Sequence, residues 1–541
     1  MVEVLIVIVA LGLVGWLLTK RVNATVALLL VGVALMLASA ALGHAGSASM
    51  EPPETGNAVL DQFAYVSAIF ADRAATTGMI IMVLFGFSSY MTEIGANAVT
   101  VDLLTKPLLR LGPKARYLLV PLTFWVGNLM SLVVPSASSL AVLLMATLFP
   151  TMVAAGISRM TAAGVIATTA TIMPTPLGAD NVVAADKLGI DLNEYTWTMH
   201  AKISVPTLIV MGLVHYAWQR FMDARELSLS APAEPARVGA AVASSASAFG
   251  GVSGRVSGRV SASASARASG GASAVASGGE TVKAAKSAGV GMGGGQTAAG
   301  GPDGAKRPNG GPPAASGTEN VRLAPKFYCV FPLLPLVLVL LPWIVQRAGG
   351  PQIKLSLVPV VLISLLVAMA AEILVGLGQG RSAAASLDGA KTFFKGMGDG
   401  MTTVVGLLIG AAVLVEGITK LGVIDTLVRW ASDMPGGTLI VIGAFVLLML
   451  VLTLLTGGVA PFYSFVEAVP QVAAGLGVNG AWLTLPLQFV GNLGRACSPV
   501  AAVVLIVSGY IKVAPVALIK RTVVPMAAGI VMSLILTWVL I

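Results

Sequence analysis

Cysteine and histidine are almost missing from this 541-residue chain, which holds two of the first and three of the second. Cys329 and Cys497 lie far apart, each in or beside an apolar segment, so neither a disulfide framework nor a CxxC metal site is available. His44, His200 and His215 cannot supply a metal centre on their own, and no metal or cofactor is expected. Charge is scarce too. Asp, Glu, Lys and Arg make up 11% of the residues against 56% hydrophobic, and mean hydropathy is +0.89. Soluble domains carry about 25% charged residues, so this composition is that of an integral membrane protein. The net charge of +9 does not point to nucleic acid, because Lys and Arg are scattered between apolar runs instead of forming a basic face with interleaved aromatics. Such an excess reports topology.

The sharpest change in composition spans about Ser228 to Arg322, where Ser, Gly, Ala and Pro dominate. This stretch buries too little apolar surface to offset its chain entropy. It is read as a disordered cytoplasmic linker over 222–326, between a first transmembrane repeat at 1–221 and a second at 327–541. Its run Gly300-Gly301-Pro302-Asp303-Gly304-Ala305-Lys306 lacks P-loop spacing.

At ~20 residues per crossing, each half holds five or six spans. Full spans are expected at Val4–Leu18, Ala24–Leu42, Met79–Tyr90, His200–Arg220, Tyr328–Val345, Leu355–Val375, Thr402–Val415 and Val523–Ile541. No A-x-A-like cleavage site follows the first, so it is not read as a signal peptide. Four more apolar segments are interrupted by helix-breaking residues. Tyr117–Val134 meets Pro135-Ser136-Ala137-Ser138-Ser139, and Thr438–Leu455 meets Thr456-Gly457-Gly458-Val459-Ala460-Pro461. Each is followed by a second broken segment, one at Pro174–Asn181 and one at Gly491–Pro499. Breaks at matching places in two halves are the sequence pointer to a transporter.

A repeat is also visible in short matches. Val153-Ala154-Ala155-Gly156 recurs as Val472-Ala473-Ala474-Gly475, and Glu93 precedes Asp102 by the same nine residues that separate Glu416 from Asp425. Basic-residue placement sets the orientation. With Lys20 and Arg21 inside, the N-terminus and an acidic loop around Met50–Asp72 fall outside, and Lys106, Arg110, Lys114 and Arg116 fall inside. The segment broken at Pro135 then enters and leaves from the inside as a re-entrant hairpin, and the one broken at Pro174 crosses outward. The corresponding hairpin of the second half enters from the outside near Asp433, with Lys512, Lys520 and Arg521 inside. The fold class expected is therefore an all-α polytopic membrane protein of two inverted repeats, each with a re-entrant helical hairpin and a broken transmembrane helix.

Unwound backbone within a bilayer has no water to bond, so breaks at mid-depth mark a cavity or a site. Ser138 or Ser139 is placed to cap the returning limb Leu140–Ala155, Asp180 or Asn181 to cap the first broken helix, and Ser498-Pro499 to start the second. Pro461 suits a helix's first turn. Four helix N-termini would then converge, each carrying roughly +0.5 charge. Arg495, a cation inside an apolar segment, is the candidate carboxylate clamp, with an ion pair to Asp180 or a snorkelling interfacial side chain as its structural alternatives. Ser136, Ser138, Ser139, Thr456, Gly457, Gly458, Pro461, Asn492, Arg495 and Ser498 are the expected substrate-binding set. Asp180 and Asn181 are assigned coupling or structural roles, and Tyr463 and Glu467 packing roles. Enzyme readings are weak: Gly86-Phe87-Ser88-Ser89-Tyr90 lacks the closing glycine of a nucleophile elbow, and no histidine sits in a predicted break.

The stretches Gly86–Asn97, Leu143–Pro150, Ala460–Glu467 and Asn492-Leu493-Gly494-Arg495 closely resemble the anaerobic C4-dicarboxylate carriers of the DcuC type, within the wider ion transporter superfamily. The resemblance covers nearly the whole chain outside the linker. It implies a bacterial inner-membrane secondary transporter of succinate, fumarate, malate or aspartate, acting by exchange or by coupling to H+ or Na+. It also implies a homodimer with an elevator-like shift of a transport domain against a scaffold. Sodium-coupled relatives of that superfamily carry Ser-Asn-Thr at both hairpin tips, whereas this chain has Ser-Ala-Ser-Ser and Thr-Gly-Gly-Val, a departure that leaves sodium coupling without support. The alternative reading is a transporter of the same architecture for another organic or inorganic anion.

Overall fold

A computed structural model describes residues 2–20, 22–43, 55–106, 113–132, 134, 136–230, 324–351 and 356–541. Among them every regular element is helical. The first half comprises α1 (Val2–Thr19), α2 (Ala24–Ala41), α3 (Ala58–Arg73), α4 (Met79–Glu93), α5 (Ala96–Thr105), α6 (Leu119–Met130), α7 (Ala137–Ala154), α8 (Arg159–Ile166), α9 (Ala179–Leu188), the single turn α10 (Leu192–Glu194) and α11 (Ala201–Ser230). The second comprises α12 (Leu334–Arg347), α13 (Leu357–Gly378), α14 (Ala383–Leu387), α15 (Lys391–Gly400), α16 (Gly406–Lys420), α17 (Val423–Ser432), α18 (Gly437–Thr456), α19 (Ala460–Val466), α20 (Val469–Leu476), α21 (Ala481–Gly494), α22 (Ala502–Ile511) and α23 (Pro515–Leu540). Ten helical stretches among the described residues are long and apolar enough to cross a bilayer. The chain is a multi-pass membrane protein. Leu366 and Leu374 of α13 and Leu447 and Leu455 of α18 lie exposed on its outside, a surface suited to hydrocarbon. Most of the expected linker lies outside the described residues, α11 continuing to Ser230 and the next turn starting at Lys326.

One expectation is corrected. Residues 58–72, read as part of an outer acidic loop, are helix α3, which joins α4 through a π-helical turn at Ala74–Gly78. The helix starts because Asn57 accepts hydrogen bonds from the amides of Val59 (3.0 Å) and Leu60 (3.3 Å). Asp61 in its first turn accepts from the Thr55 hydroxyl at 2.6 Å and amide at 2.7 Å. A carboxylate so placed favours the helix N-terminus instead of breaking it.

Two stretches repeat with identical element lengths. A five-residue π-helical turn, a 15-residue helix, a left-handed glycine and a ten-residue helix follow one another at Ala74–Thr105, with Gly95 at φ 77°, and again at Met401–Ser432, with Gly422 at φ 66°. Likewise α9 and α22 each run ten residues and end in left-handed backbone, at Gly189 and at Lys512. Helices α2 and α16 pack so closely that a Cβ at Gly32 would lie 2.6 Å from the Leu414 nitrogen, and one at Gly417 3.0 Å from the Gly32 oxygen. Only glycine permits that approach.

Candidate functional site

All four expected interruptions are present. Helix α6 stops at Met130 and α7 starts at Ala137; α8 stops at Ile166 and α9 starts at Ala179. Helix α18 ends on Gly457 at φ 73°, and α19 starts at Ala460. Helix α21 gives way to a 3-10 turn at Arg495–Cys497, and α22 starts at Ala502. Polar side chains from neighbouring helices reach the backbone these breaks release. Asn128 Oδ1 accepts from the Thr171 amide (3.3 Å) and hydroxyl (3.2 Å), Ser498 Oγ donates to the Leu454 carbonyl (2.7 Å), and Thr522 Oγ1 donates to the Ala496 carbonyl (2.7 Å). Inside a membrane these side chains stand in for water.

The caps differ from those expected. Ser136, not Ser138 or Ser139, caps α7, its hydroxyl accepting from the Ser139 amide at 3.3 Å and the Ser139 hydroxyl at 3.0 Å. Gly178 occupies the cap position of α9, one residue before its first turn, so Asp180 and Asn181 lie inside that turn. Their side chains turn instead to α21, where stronger donors wait. Ala501, not Ser498, precedes α22, because Ser498 is committed to Leu454. Pro461 does sit in the first turn of α19.

The breaks surround a cavity of about 370 Å³, within the ~300–1,000 Å³ usual for small-molecule sites. Ser136, Ala137 and Ser138 line it from the start of α7, Gly178 to Asp180 from the start of α9, and Gly458 to Ala460 from the turn before α19. Three helix N-termini therefore open onto one space; that of α22 does not line it. Phe85 of α4, Thr403 and Leu407 also line it. Asn492 and Arg495 complete the lining from the second broken helix. The Arg495 guanidinium donates to the carbonyl of Ala170. Ala170 stands at φ 55°, a left-handed conformation that costs a non-glycine residue ~1 kcal/mol or more. Strained backbone thus aims a carbonyl at the one arginine of the cavity wall. The ion pair of Arg495 with Asp180 weighed as an alternative does not form; among the described residues Arg495 has no carboxylate within 4.0 Å.

Asp180 is fixed from α21. Its Oδ2 accepts from Gln488 Nε2 at 2.9 Å and Asn492 Nδ2 at 2.7 Å. Gln488, fully buried on α21, also donates to Asn181 Oδ1 at 2.5 Å and accepts from the Tyr195 hydroxyl. Of the expected binding set, Ser136, Ser138, Gly458, Asn492 and Arg495 line the cavity, together with Asp180. Ser139, Thr456, Gly457, Pro461, Ser498 and Asn181 stand behind it. Thr456 donates to Leu452, and Gly457 packs so tightly that a Cβ there would lie 2.5 Å from the Ala501 nitrogen. Pro135 lies outside the described residues. Tyr463, read as packing, lines the cavity, as does His200 at the end of the π-helical turn Tyr195–His200. Gln488 was missed, although its position four residues before Asn492 places both amides on one helix face. Glu467, read as packing, is a buried ion-pair partner of Lys187 (2.9 Å) and Arg73 (3.0 Å).

Comparison with known proteins settles the family. The family described as C4-dicarboxylate anaerobic carrier, DcuC, matches residues 2–246 and 314–541, which is most of the chain outside the linker. The chain belongs to this family. The anaerobic C4-dicarboxylate transporter DcuC of Escherichia coli K12 is 31% identical over 99% of this chain and 96% of its own length. A Vibrio cholerae protein named "Probable anaerobic C4-dicarboxylate transporter DcuC" is 31% identical over 100% of this chain and 98% of its own length. Among solved structures, Neisseria gonorrhoeae MtrF aligns with 97% of this chain at 12% identity and a TM-score of 0.49. Membership makes the chain a carrier and removes the enzyme readings.

Proposed function

We propose that the chain is a secondary transporter of C4-dicarboxylates such as succinate, fumarate and malate across the bacterial inner membrane. The observation that carries this reading is the cavity at the four breaks, where three helix N-termini and an arginine without a carboxylate partner face one space. A dianion there meets positive ends of helix dipoles and a planar donor fork, the two devices best suited to carboxylates. The named activity of the Escherichia coli and Vibrio cholerae relatives supports the same cargo. The recurrence of equal-length elements supports two repeats, at 1–221 and 327–541, inverted across the membrane, with the 222–326 linker on the cytoplasmic side. In this reading the broken helices and hairpins move as one body in an elevator-like step, and the chain works as a homodimer. Exchange of one dianion for another moves no net charge, whereas uptake alone needs a coupled cation, H+ or Na+.

The test is counterflow. Proteoliposomes loaded with unlabelled succinate are expected to accumulate labelled fumarate, with saturation and with competition by other C4 acids. Flux that does not saturate, or competition by monocarboxylates or inorganic oxyanions in place of C4 acids, overturns the reading.

A further inference from the structure

The cavity wall holds two opposite charges that form no direct ion pair. Arg495 rests on the Ala170 carbonyl, and no ion pair joins it to Asp180. An acidic group in a site for a dianion needs an explanation, because like charges a few ångströms apart repel. The detailed bonding of Asp180 supplies one. Both amide donors, Gln488 Nε2 and Asn492 Nδ2, are spent on Oδ2, while no hydrogen bond from the described residues reaches Oδ1. Nor can Gln488 turn to cover it, since the same nitrogen holds Asn181 and its carbonyl oxygen holds the Tyr195 hydroxyl. A carboxylate oxygen is an acceptor only. What remains at the wall is a fixed anionic acceptor in the same cavity as a fixed cationic fork.

Such a pair fits a guest that is itself two-signed or donor-bearing near one carboxylate. We propose that Asp180 determines specificity by reading a hydrogen-bond donor on C2 of the cargo, so that the preferred substrate is a C4-dicarboxylate bearing a hydroxyl or an ammonium group there. This rests on the reading of the cavity as a C4-dicarboxylate site. An unsubstituted diacid such as succinate or fumarate offers nothing to Oδ1 and sets its own carboxylates against it. The α-hydroxy or α-amino acid of the same length gives Oδ1 a partner while one of its carboxylates remains free to meet Arg495. Asn492, bonded to Asp180 and lining the cavity itself, positions this acceptor and does not read the donor.

The experiment is competition against labelled L-malate counterflow in proteoliposomes at pH 8, where both carboxyl groups of every competitor are ionised. Unlabelled L-malate and L-aspartate are expected to inhibit at concentrations roughly tenfold below those needed for succinate and fumarate, the value of one hydrogen bond to a charged acceptor. Racemic 2-methoxysuccinate, which keeps the oxygen but cannot donate, is expected to compete no better than succinate. Asp180→Asn is expected to flatten the series, because its amide can donate to a carboxylate as readily as it accepts from a hydroxyl. Equal potency of succinate and L-malate, or a methoxy compound as potent as L-malate, overturns the proposal. An Asp180→Asn protein that keeps the wild-type order of potencies overturns it as well, and should that variant fail to fold, Asn492→Ala, which loosens the hold on Asp180, is expected to narrow the series, an unchanged series overturning the proposal. Absence of exchange for every C4 acid would instead overturn the carrier reading on which the proposal stands.

Discussion

Arg495 is where the transport reading can be attacked most directly. Its guanidinium offers five N–H donors in a rigid fork, and the contact to the Ala170 carbonyl occupies one edge of it. Two charge-assisted bonds from the remaining donors to a cargo carboxylate are worth ~1.5–3 kcal/mol each, so Arg495→Ala removes ~3 kcal/mol at the low end. At ~1.4 kcal/mol per factor of ten, the half-saturating concentration for succinate counterflow rises roughly 100-fold. Arg495→Lys keeps the charge but not the fork and is expected to fall between, with roughly a tenfold rise. Both variants also lose the bond to Ala170, so a thermal-unfolding measurement in detergent accompanies the flux assay to separate misfolding from lost binding. An Arg495→Ala protein that unfolds at the wild-type temperature and still transports within twofold of wild type would refute the clamp and, with it, the charge argument for the cavity.

Other perturbations follow from single contacts. Glu467 is buried between Lys187 and Arg73; in Glu467→Gln Arg73 keeps Asp72 at 2.6 Å and Lys187 is left with Asp186 at 3.7 Å, so the variant is expected to destabilise the fold by ~1–3 kcal/mol, read as a lower unfolding temperature, and adding Lys187→Met should restore part of it. Ser136→Asp retains a capping oxygen for α7 but adds an anion to the cavity wall, so stability should hold while transport is lost; Ser136→Ala, in contrast, should cost ~1 kcal/mol of stability. Gly457→Ala combines a φ of 73° with a Cβ 2.5 Å from the Ala501 nitrogen, and is expected to lower the unfolding temperature and abolish counterflow together.

The breaks were legible in the sequence because proline, glycine and serine inside apolar runs have no other economical explanation in a bilayer. Their caps were less so. Which residue caps a helix depends on where the chain leaves extended backbone, and a shift of two positions moved the role from Ser138 to Ser136. Asp180 illustrates a stronger limit. Taken locally it is a good cap, but two amides from a helix about three hundred residues later outbid the backbone, and nothing within a short window announces them. Gln488 and Asn492 were accessible in principle as a polar pair at helical spacing. His200 and Tyr463 were not, since aromatic and imidazole rings at the edge of an apolar run look the same whether they pack or line a cavity. The acidic stretch before α4 misled for a different reason. Asp61 sits in the first turn of α3, where it stabilises the helix, while the apolar residues behind it recur at helical spacing.

The site also shows how a membrane protein can keep charged groups in its interior without pairing them directly. Arg495 leans on a backbone carbonyl, and Asp180 on two side-chain amides; no direct ion pair joins them. Direct pairing would satisfy both more cheaply, yet it would have to be broken each time a dianion entered, at a cost of several kcal/mol. Neutral partners hold the charges in place and leave each of them an open bonding direction. The amides of Gln488 and Asn492 connect α9 to α21, so the same bonds that orient Asp180 also tie the two broken helices together. If the broken helices move as one body, this network is what must survive the movement. Cutting it at Gln488 should then uncouple binding from translocation, leaving cargo affinity less affected than counterflow rate.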